Sequence, residues 1–183
     1  DNSTLGITGA TNIDNSIALT NGATISNTSA VTLSGAISGS GSLSKAGSGQ
    51  LSLTGISNYG GSTTVLASTL SVAGALNGTS DVSVNSGATL TGSGSITNLV
   101  VSNGGTLSPG NGVGTFTVNG NLQMNSGSTL AVNINGVTAG TDYDQVIVNG
   151  TVSLAGSLNV NHGYSPGQGD IYTIIVNDMA DLI

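Results

Sequence analysis

A nine-residue unit that occurs four times constrains the fold more than any other feature of this sequence. The first, third and ninth positions of the unit are apolar, the sixth is always Gly and the eighth is always Thr. Apolar residues two positions apart lie on the same face of a β-strand, and Gly lets the backbone turn without strain. Each unit therefore predicts a strand, a corner and a second strand. The four copies are residues 17–25, 82–90, 99–107 and 122–130.

Shorter copies of the same pattern begin at Val31, Leu70, Phe116, Val146 and Val152. Neighbouring units carry similar side chains at matched positions. Successive rungs of a solenoid require this similarity, because each side chain packs on its equivalent in the next rung. The pattern therefore favours a parallel β-helix, a β-solenoid of roughly eight rungs. A sandwich or pilin-like fold, in which Asn-Gly pairs close antiparallel hairpins, is the alternative.

The composition supports an all-β protein with very little helix. The chain of 183 residues has 30 Gly, only 2 Pro and 5% charged residues. Val, Ile and Thr, which suit a pleated surface, are abundant, whereas the helix formers Glu and Arg are absent. With 37% apolar residues, the chain lacks the low hydrophobicity and high charge of a disordered protein. We expect residues 1–183 to form one solenoid domain.

The charge of the chain excludes several classes of partner. The formal net charge is −7, and Lys45 is the single Lys or Arg. Binding to phosphates needs several such cations, so we expect no binding to nucleic acid or to anionic membranes. No apolar run approaches the ~20 residues that span a bilayer, so membrane insertion by this chain is not expected. The absence of Cys excludes disulfides and thiolate metal sites, and it fits export in an unfolded state.

Residues 39–72 hold the most regular alternation of apolar pairs and Gly-rich corners. The positions that carry this pattern are Gly41, Leu43, Lys45, Gly47, Gly49, Leu51, Leu53, Gly55, Tyr59, Gly61, Thr63, Thr69, Leu70 and Val72. Their order and spacing resemble the passenger-associated transport repeat, also called the autotransporter-associated β-strand repeat, of bacterial autotransporters. Ser57 stands where the family has Asn and Ser68 where it has Gly, which puts the turn geometry at these two corners in question.

Later segments resemble the region that follows such a repeat in autotransporters, namely residues 105–110, 142–150 and 169–175. The resemblance implies a right-handed parallel β-helix that is carried across the bacterial outer membrane to the cell surface or the extracellular space. The family normally continues into a membrane β-barrel, so we expect a cleaved passenger, a fragment or a stand-alone secreted relative. Within the domain, residues 39–72 form the repeat and residues 161–183 a C-terminal strand and tail.

Three Gly-rich segments interrupt the repeats and are expected to be loops or wide corners. They are residues 104–114, 136–144 and 161–170, of which the last is the longest stretch without a repeat. The segment that follows, residues 171–176, is apolar enough to form the last strong strand.

No group of residues predicts an active site or a resident cofactor. The single His, His162, lies in a polar Gly-rich segment, where we expect a solvated side chain. Asp142 and Asp144 are near enough in sequence to reach one Ca²⁺. The Gly-Gly-x-Gly-x-Asp calcium repeat is absent, however, so a solvated corner is favoured over calcium. We expect Lys45 to cover the solenoid surface or to pair with an Asp, and Tyr59 to be a packing residue.

These observations predict a structural protein rather than an enzyme, whose Ser-, Thr- and Asn-rich faces act in adhesion or in a biofilm matrix. The expected partners are cell-surface or matrix components and further copies of the chain. Unpaired strand edges at the ends of a solenoid favour end-to-end pairing into a fibre. The residues expected to make that contact are Ile171, Tyr172, Ile174 and Val176. A passenger stalk that carries an enzymatic or toxin domain outside this chain is the alternative.

Overall fold

The computed structural model describes residues 3–178, and every regular element in this range is a β-strand. Three strands follow one another in each turn of the chain, and each joins a different face of the molecule. All pairs between these strands are parallel. The prediction of an all-β parallel β-helix is therefore confirmed, and an antiparallel sandwich is excluded. Within residues 3–178, no helix could cross a lipid bilayer.

Faces 1 and 2 each hold eight stacked strands, and face 3 is divided into sheets of two and six strands. Face 1 contains β1 (Ser3–Ile7), β4 (Ala23–Asn27), β7 (Leu43–Ala46), β10 (Thr63–Val65), β13 (Asp81–Val84), β16 (Asn98–Val101), β19 (Leu122–Met124) and β22 (Val152–Leu154). Face 2 contains β2 (Thr11–Ile13), β5 (Val31–Leu33), β8 (Leu51–Leu53), β11 (Ser68–Val72), β14 (Ala88–Gly92), β17 (Thr106–Pro109), β20 (Thr129–Ile134) and β23 (Ser157–His162). Face 3 contains β3 (Ile17–Leu19) and β6 (Ile37–Gly39), then β9 (Ile56–Ser57), β12 (Ala75–Leu76), β15 (Ser95–Ile96), β18 (Thr115–Val118), β21 (Gln145–Val148) and β24 (Ile175–Asn177).

The stacking register explains why the sequence repeats. On face 1, Leu5 pairs with Ile25, Ile25 with Lys45 and Lys45 with Val65, so each of these coils takes 20 residues. Equivalent side chains consequently lie above one another at the ~4.8 Å spacing of paired strands. Each inward residue then needs a neighbour of similar shape, which keeps the pattern similar from one coil to the next.

The later coils are longer because two connections are enlarged. On face 1, Val101 pairs with Met124, and Met124 pairs with Leu154. The additional residues lie at 110–114, between β17 and β18, and at 135–144, between β20 and β21. Both enlarged connections leave the strands of the stack in register, so the core continues past them.

Two of the expected loops are shorter than the sequence indicated. The expectation of a loop over residues 104–114 is wrong in its first half, because β17 stacks on β14 through Leu107 and Leu90. The expectation that His162 lies in a loop is also wrong, because His162 pairs with Ile134 as the last residue of β23. In both cases the strand continues because the neighbouring coil offers a complete partner strand.

Three of the four copies of the nine-residue unit depend on Gly for the geometry of their corner. Gly87, Gly104 and Gly127, at the sixth position, have φ values of +75°, +75° and +80°. Residues with a side chain rarely adopt this region. These glycines therefore let the chain pass from face 1 to face 2 within a short turn.

A continuous apolar core runs between the three faces. In the inner row of face 2, Leu51, Leu70, Leu90 and Leu107 pair in sequence and are 0% exposed. Full burial of one such side chain contributes ~1.5–3 kcal/mol to stability. Because the rows are continuous, each coil is stabilised mainly by its two neighbours.

The last strand lies later than residues 171–176, so that expectation is wrong in its boundaries. β24 covers only Ile175–Asn177 and pairs with β21 at the edge of face 3. Residues 171–173 are held by side-chain contacts, since the Tyr172 ring packs edge-on against Tyr143 with 5.3 Å between centroids. The Ile174 carbonyl oxygen already accepts a hydrogen bond from the Val146 N–H at 2.8 Å. The part of the predicted tail from residue 179 onward lies outside the described residues.

Candidate functional surfaces and buried polar groups

The segment that resembles the transport repeat, residues 39–72, forms one coil and part of the next within the solenoid, from β7 to β11. Its apolar positions face the core and are at most 1% exposed, namely Leu43, Leu51, Leu53, Leu70 and Val72. The segment therefore contributes to the architecture of the solenoid.

Lys45 lies inside the solenoid. Its side chain occupies the inner row of face 1 between Ile25 and Val65 and is 0% exposed. Alternation along β7 dictates this position, because Leu43 points inward and Lys45 is two residues further on. The expectation of a surface or Asp-paired Lys45 is wrong, because the buried ammonium finds backbone acceptors that offset the cost of burial.

Three backbone carbonyls hold the ammonium of Lys45. Its Nζ donates to the carbonyl oxygens of Ala46 at 2.7 Å, Gly47 at 3.2 Å and Ala67 at 3.4 Å. Burial lowers the pKa of Lys45, because the interior disfavours the charged form. Since Ala46 and Gly47 belong to one coil and Ala67 to the next, Lys45 links two successive coils at one corner.

A buried asparagine on the preceding coil completes this corner. Asn27 is 0% exposed, and its Nδ2 donates to the carbonyl oxygens of Ser29 and Gln50, both at 2.8 Å. Gly47, stacked on Asn27, has a φ of +78°, and a Cβ there would collide with the Asn27 carbonyl oxygen. The sequence pattern singled out Gly47 and missed Asn27, although Asn27 ends its strand at the equivalent position of the preceding coil.

A second network of buried polar side chains is centred on Tyr59, which is 0% exposed. The Tyr59 hydroxyl lies 2.5 Å from Thr63 Oγ1, and Thr63 Oγ1 lies 3.2 Å from Thr79 Oγ1. The Thr79 hydroxyl also contacts the Gly61 carbonyl oxygen at 2.7 Å. Burial raises the pKa of Tyr59 to about 12, and the hydrogen bond with Thr63 opposes this shift. Tyr59 thus packs in the core with its hydroxyl in an internal network.

The two positions that depart from the family pattern have specific structural roles. Ser57 lies in β9, is 1% exposed, and accepts a hydrogen bond from the Ile37 N–H at 3.1 Å. Ser68 has a φ of +57°, a region that Gly adopts without cost, and its hydroxyl donates to the Ser48 carbonyl at 2.9 Å. Ser68 therefore keeps the backbone conformation that suits Gly, at a strain of ~1–2 kcal/mol.

The two carboxylates considered as a calcium site have different surroundings. Asp144 is 0% exposed and accepts hydrogen bonds from the Gly114 N–H at 2.8 Å and from the backbone N–H and side-chain amide of Asn133 at 2.8 and 2.9 Å. Asp142 accepts a hydrogen bond from the Thr138 N–H at 3.1 Å. Within residues 3–178, no three His, Cys, Asp or Glu side chains come together as a metal site requires.

The expectation of a solvated corner is wrong for Asp144. Burial raises the pKa of its carboxyl, whereas the hydrogen bonds from Asn133 and Gly114 lower it. Because these donors occupy both carboxylate oxygens, Asp144 joins the connection at 110–114 to β20 and braces the two enlarged turns of the chain.

Side chains of the C-terminal segment form a cluster that the sequence pattern did not indicate. Asp170 accepts hydrogen bonds from the hydroxyl of Tyr164, from the hydroxyl of Tyr172 at 3.3 Å and from the Gly167 N–H at 2.7 Å. These hydrogen bonds, that of Tyr164 foremost, hold the pKa of Asp170 below its usual value. His162 is exposed at the end of β23. The cluster secures the loop before β24.

The four residues expected to mediate self-association differ in exposure. Ile171 is 83% exposed, whereas Tyr172, Ile174 and Val176 are half-buried. Ile174 packs against the core of its own chain. Of the four, Ile171 presents the largest free surface, and a role of this segment in self-association stays a prediction.

Comparison with known proteins bears on the role of this solenoid. No family model matches the chain. The chain is similar to an autotransporter adhesin. That protein, the adhesin BmaC autotransporter of Brucella suis biovar 1 (strain 1330), is 40% identical over 85 residues, which are 43% of this chain. The chain spans about 2% of the length of that curated relative. This similarity is consistent with the autotransporter resemblance of residues 39–72, and together with the β-solenoid fold it fits an adhesin-like surface role.

Proposed function

We propose that this chain is part of a surface-exposed or secreted autotransporter passenger that acts as a non-enzymatic adhesive scaffold. The observation that carries the proposal is the parallel β-helix, whose outward rows repeat uncharged polar side chains in register. One such row on face 2 runs through Thr69, Thr89 and Thr106. A rigid body of this kind offers many identical weak contacts, and contacts made together give strong attachment. The similarity to an autotransporter adhesin supports the same role.

The buried polar groups support a scaffold rather than chemistry. Lys45, Tyr59 and Asp144 are all enclosed, and each is bonded to groups of its own chain. A catalytic group has to reach its substrate, whereas these side chains join successive coils. Their hydrogen bonds stabilise the shape of the solenoid.

Surface display tests the adhesive role. The chain would be displayed on a non-adherent bacterium through an unrelated outer-membrane anchor, and cells with the anchor alone would be the control. We expect the displayed chain to be accessible to added protease and to increase cell clumping and retention on surfaces. If the displayed chain is accessible but both readouts equal those of the anchor alone, the adhesive role is refuted.

End-to-end association of copies is a second candidate, and an apolar groove favours it. At the far edge of faces 1 and 2, Leu154 is 58% and Leu158 is 55% exposed. These two side chains line a groove together with Met124 and Leu130. At the opposite end, Leu5 is 47% exposed and begins the same inner row of face 1 that Leu154 completes. A second copy stacked in register would place Leu5 against Leu154.

Charged substitutions in the groove test end-to-end association. We expect the purified chain to sediment as a concentration-dependent series of oligomers and to form short fibres in electron micrographs. The variant Leu154→Asp with Leu158→Asp would remain a monomer, because carboxylates in the contact cannot be buried without a partner. The matched control is Leu66→Asp in the connection between β10 and β11, away from the groove, where Leu66 is 44% exposed. If the parent chain is monomeric, or if the groove variant assembles as the parent does, end-to-end association through this groove is refuted.

A further inference from the structure

The outer side of face 2 carries two rows of hydroxyl-bearing side chains, hereafter the hydroxyl face. Its first row is Thr69, Thr89, Thr106 and Thr129, and its second row is Ser52, Ser71, Thr91 and Ser108. Members of one row pair in register, so they lie ~4.8 Å apart along the solenoid. The two rows are separated by two strand positions, or ~6.6 Å. Ser71 in the second row is only 5% exposed, so the first row is the more accessible of the two.

Three of the four hydroxyls in the first row are open to a ligand, whereas Thr129 Oγ1 lies 3.5 Å from Ser157 Oγ. Thr69, Thr89 and Thr106 are partly exposed. Within residues 3–178, no hydrogen bond of the chain engages these three hydroxyls. In the second row, Thr91 donates to the Gly110 carbonyl and is therefore occupied. A β-branched side chain has few χ1 choices, so the Thr row loses little conformational freedom when a ligand binds.

The other two faces lack such an unbroken uncharged surface. On face 1, the outward row through Ser83 continues at the apolar Val100. Face 1 also carries the carboxylate of Asp81, and face 3 presents Ile56, which is 66% exposed. In contrast, none of the eight described strands of face 2 contains Asp, Glu, Lys or Arg.

We propose that the hydroxyl face binds a neutral polysaccharide that lies along successive coils. A single hydroxyl contact contributes only about 1 kcal/mol, so useful affinity requires a ligand that repeats as the protein does. Sugar hydroxyls both donate and accept hydrogen bonds, as Thr and Ser hydroxyls do. The net charge of −7 repels polyanions, and the face offers no carboxylate to a polycation. This inference rests on the proposed adhesive function and names the class of its partner.

Retention of the purified chain on insoluble cellulose and chitin tests the proposal, with polygalacturonate as an anionic polymer for comparison. The test variant is Thr89→Val with Thr106→Val, which removes two hydroxyls and keeps two β-branched residues in strands. The matched control is Thr24→Val with Thr64→Val, in one outward row of face 1. Circular dichroism and thermal melting of both variants establish that they fold as the parent chain does.

We expect the parent chain to bind cellulose or chitin at low and high salt alike, because no ion pair is involved. The hydroxyl-face variant should bind at least about tenfold more weakly, since two hydrogen bonds are lost, and the control should bind as the parent does. Absence of binding to both neutral polymers overturns the proposal, as does an equal loss in the control. Adsorption to growing ice crystals without binding to either polymer also overturns it. If the purified chain binds neither neutral polymer but cells that display it still adhere, the polysaccharide inference fails and the proposed adhesive function stands.

Discussion

Lys45 carries an ammonium into the core, where backbone carbonyls meet it, and this gives the solenoid a pH-dependent stability. Its folded-state pKa lies below the ordinary 10.5, so just below that pH the unfolded chain binds more protons than the folded chain. Stability therefore rises with pH through this window, up to about 10.5, by at most about 1.4 kcal/mol per pH unit. We expect Lys45→Met to lack this rise in urea unfolding measured from neutral pH upward. If the unfolding free energy of parent and variant rises equally with pH, the lowered pKa of Lys45 does not contribute to stability.

Tyr59 has the opposite effect at higher pH. Burial raises the pKa of Tyr59 from 10.0 to about 12, so between these values the unfolded chain has released a proton that the folded chain keeps. Stability is lost as pH rises through this interval. We expect Tyr59→Phe to reduce that alkaline loss and, at neutral pH, to cost about 1 kcal/mol for the hydrogen bond to Thr63. Tyr143→Phe is the matched control, and an identical alkaline profile in both variants would contradict the assignment.

At the scale of single elements, the turn into β11 contains one non-Gly residue at positive φ. Substitutions at this residue measure how much the strained conformation costs. Ser68 has a φ of +57°, and a β-branched residue fits this region far worse than Ser or Gly. We expect Ser68→Gly to change the free energy of unfolding by less than about 1 kcal/mol, because relief of strain offsets both the added freedom of the unfolded chain and the lost hydrogen bond to the Ser48 carbonyl. Ser68→Val should destabilise by more than about 2 kcal/mol.

Chemical denaturation of Ser68→Gly, Ser68→Val and Ser68→Ala distinguishes backbone strain from the side-chain hydrogen bond. Ser68→Ala keeps a Cβ but loses the hydrogen bond to the Ser48 carbonyl, so it should lie between the other two variants. If all three variants are equally destabilised relative to the parent, the hydrogen bond that each of them loses, and not the backbone conformation, controls this turn.

Alternation along the strands made most of the fold predictable, because it fixes which residues face the core. The same rule places Lys45 inside, two residues after Leu43, but its charge suggested the opposite. The acceptors that make burial tolerable are backbone carbonyls, which a sequence pattern does not display. Asp144 was misjudged for a similar reason, since its donors at Gly114 and Asn133 are distant in sequence. The start of β24 was also missed, because contacts of Tyr172 override the apolar run before it.

At the scale of the whole molecule, the solenoid behaves as a one-dimensional stack. On faces 1 and 2, each strand pairs with its equivalents in the neighbouring coils, so stability comes from contacts between adjacent coils. The coils at the start are equal in length, whereas the enlarged connections lie in the later half. The uniform coils are consequently interchangeable in register, and the enlarged ones are tied together by Asp144. This division indicates where the chain tolerates the loss of a coil.

Removal of one uniform coil tests this view. Deletion of residues 28–47 joins Asn27 to Ser48 and keeps the register, because Ile25 and Lys45 are equivalent positions 20 residues apart. We expect the shortened chain to keep its β-sheet circular dichroism and a cooperative melt at a moderately lower temperature. Deletion of residues 28–37 is the control. It removes half a coil, so the strands before the deletion no longer meet their partners, and it should lower the melting temperature and the β-sheet signal by more than the deletion of residues 28–47 does. Equal loss of structure in both deletions would show that the coils are not independent stacking units.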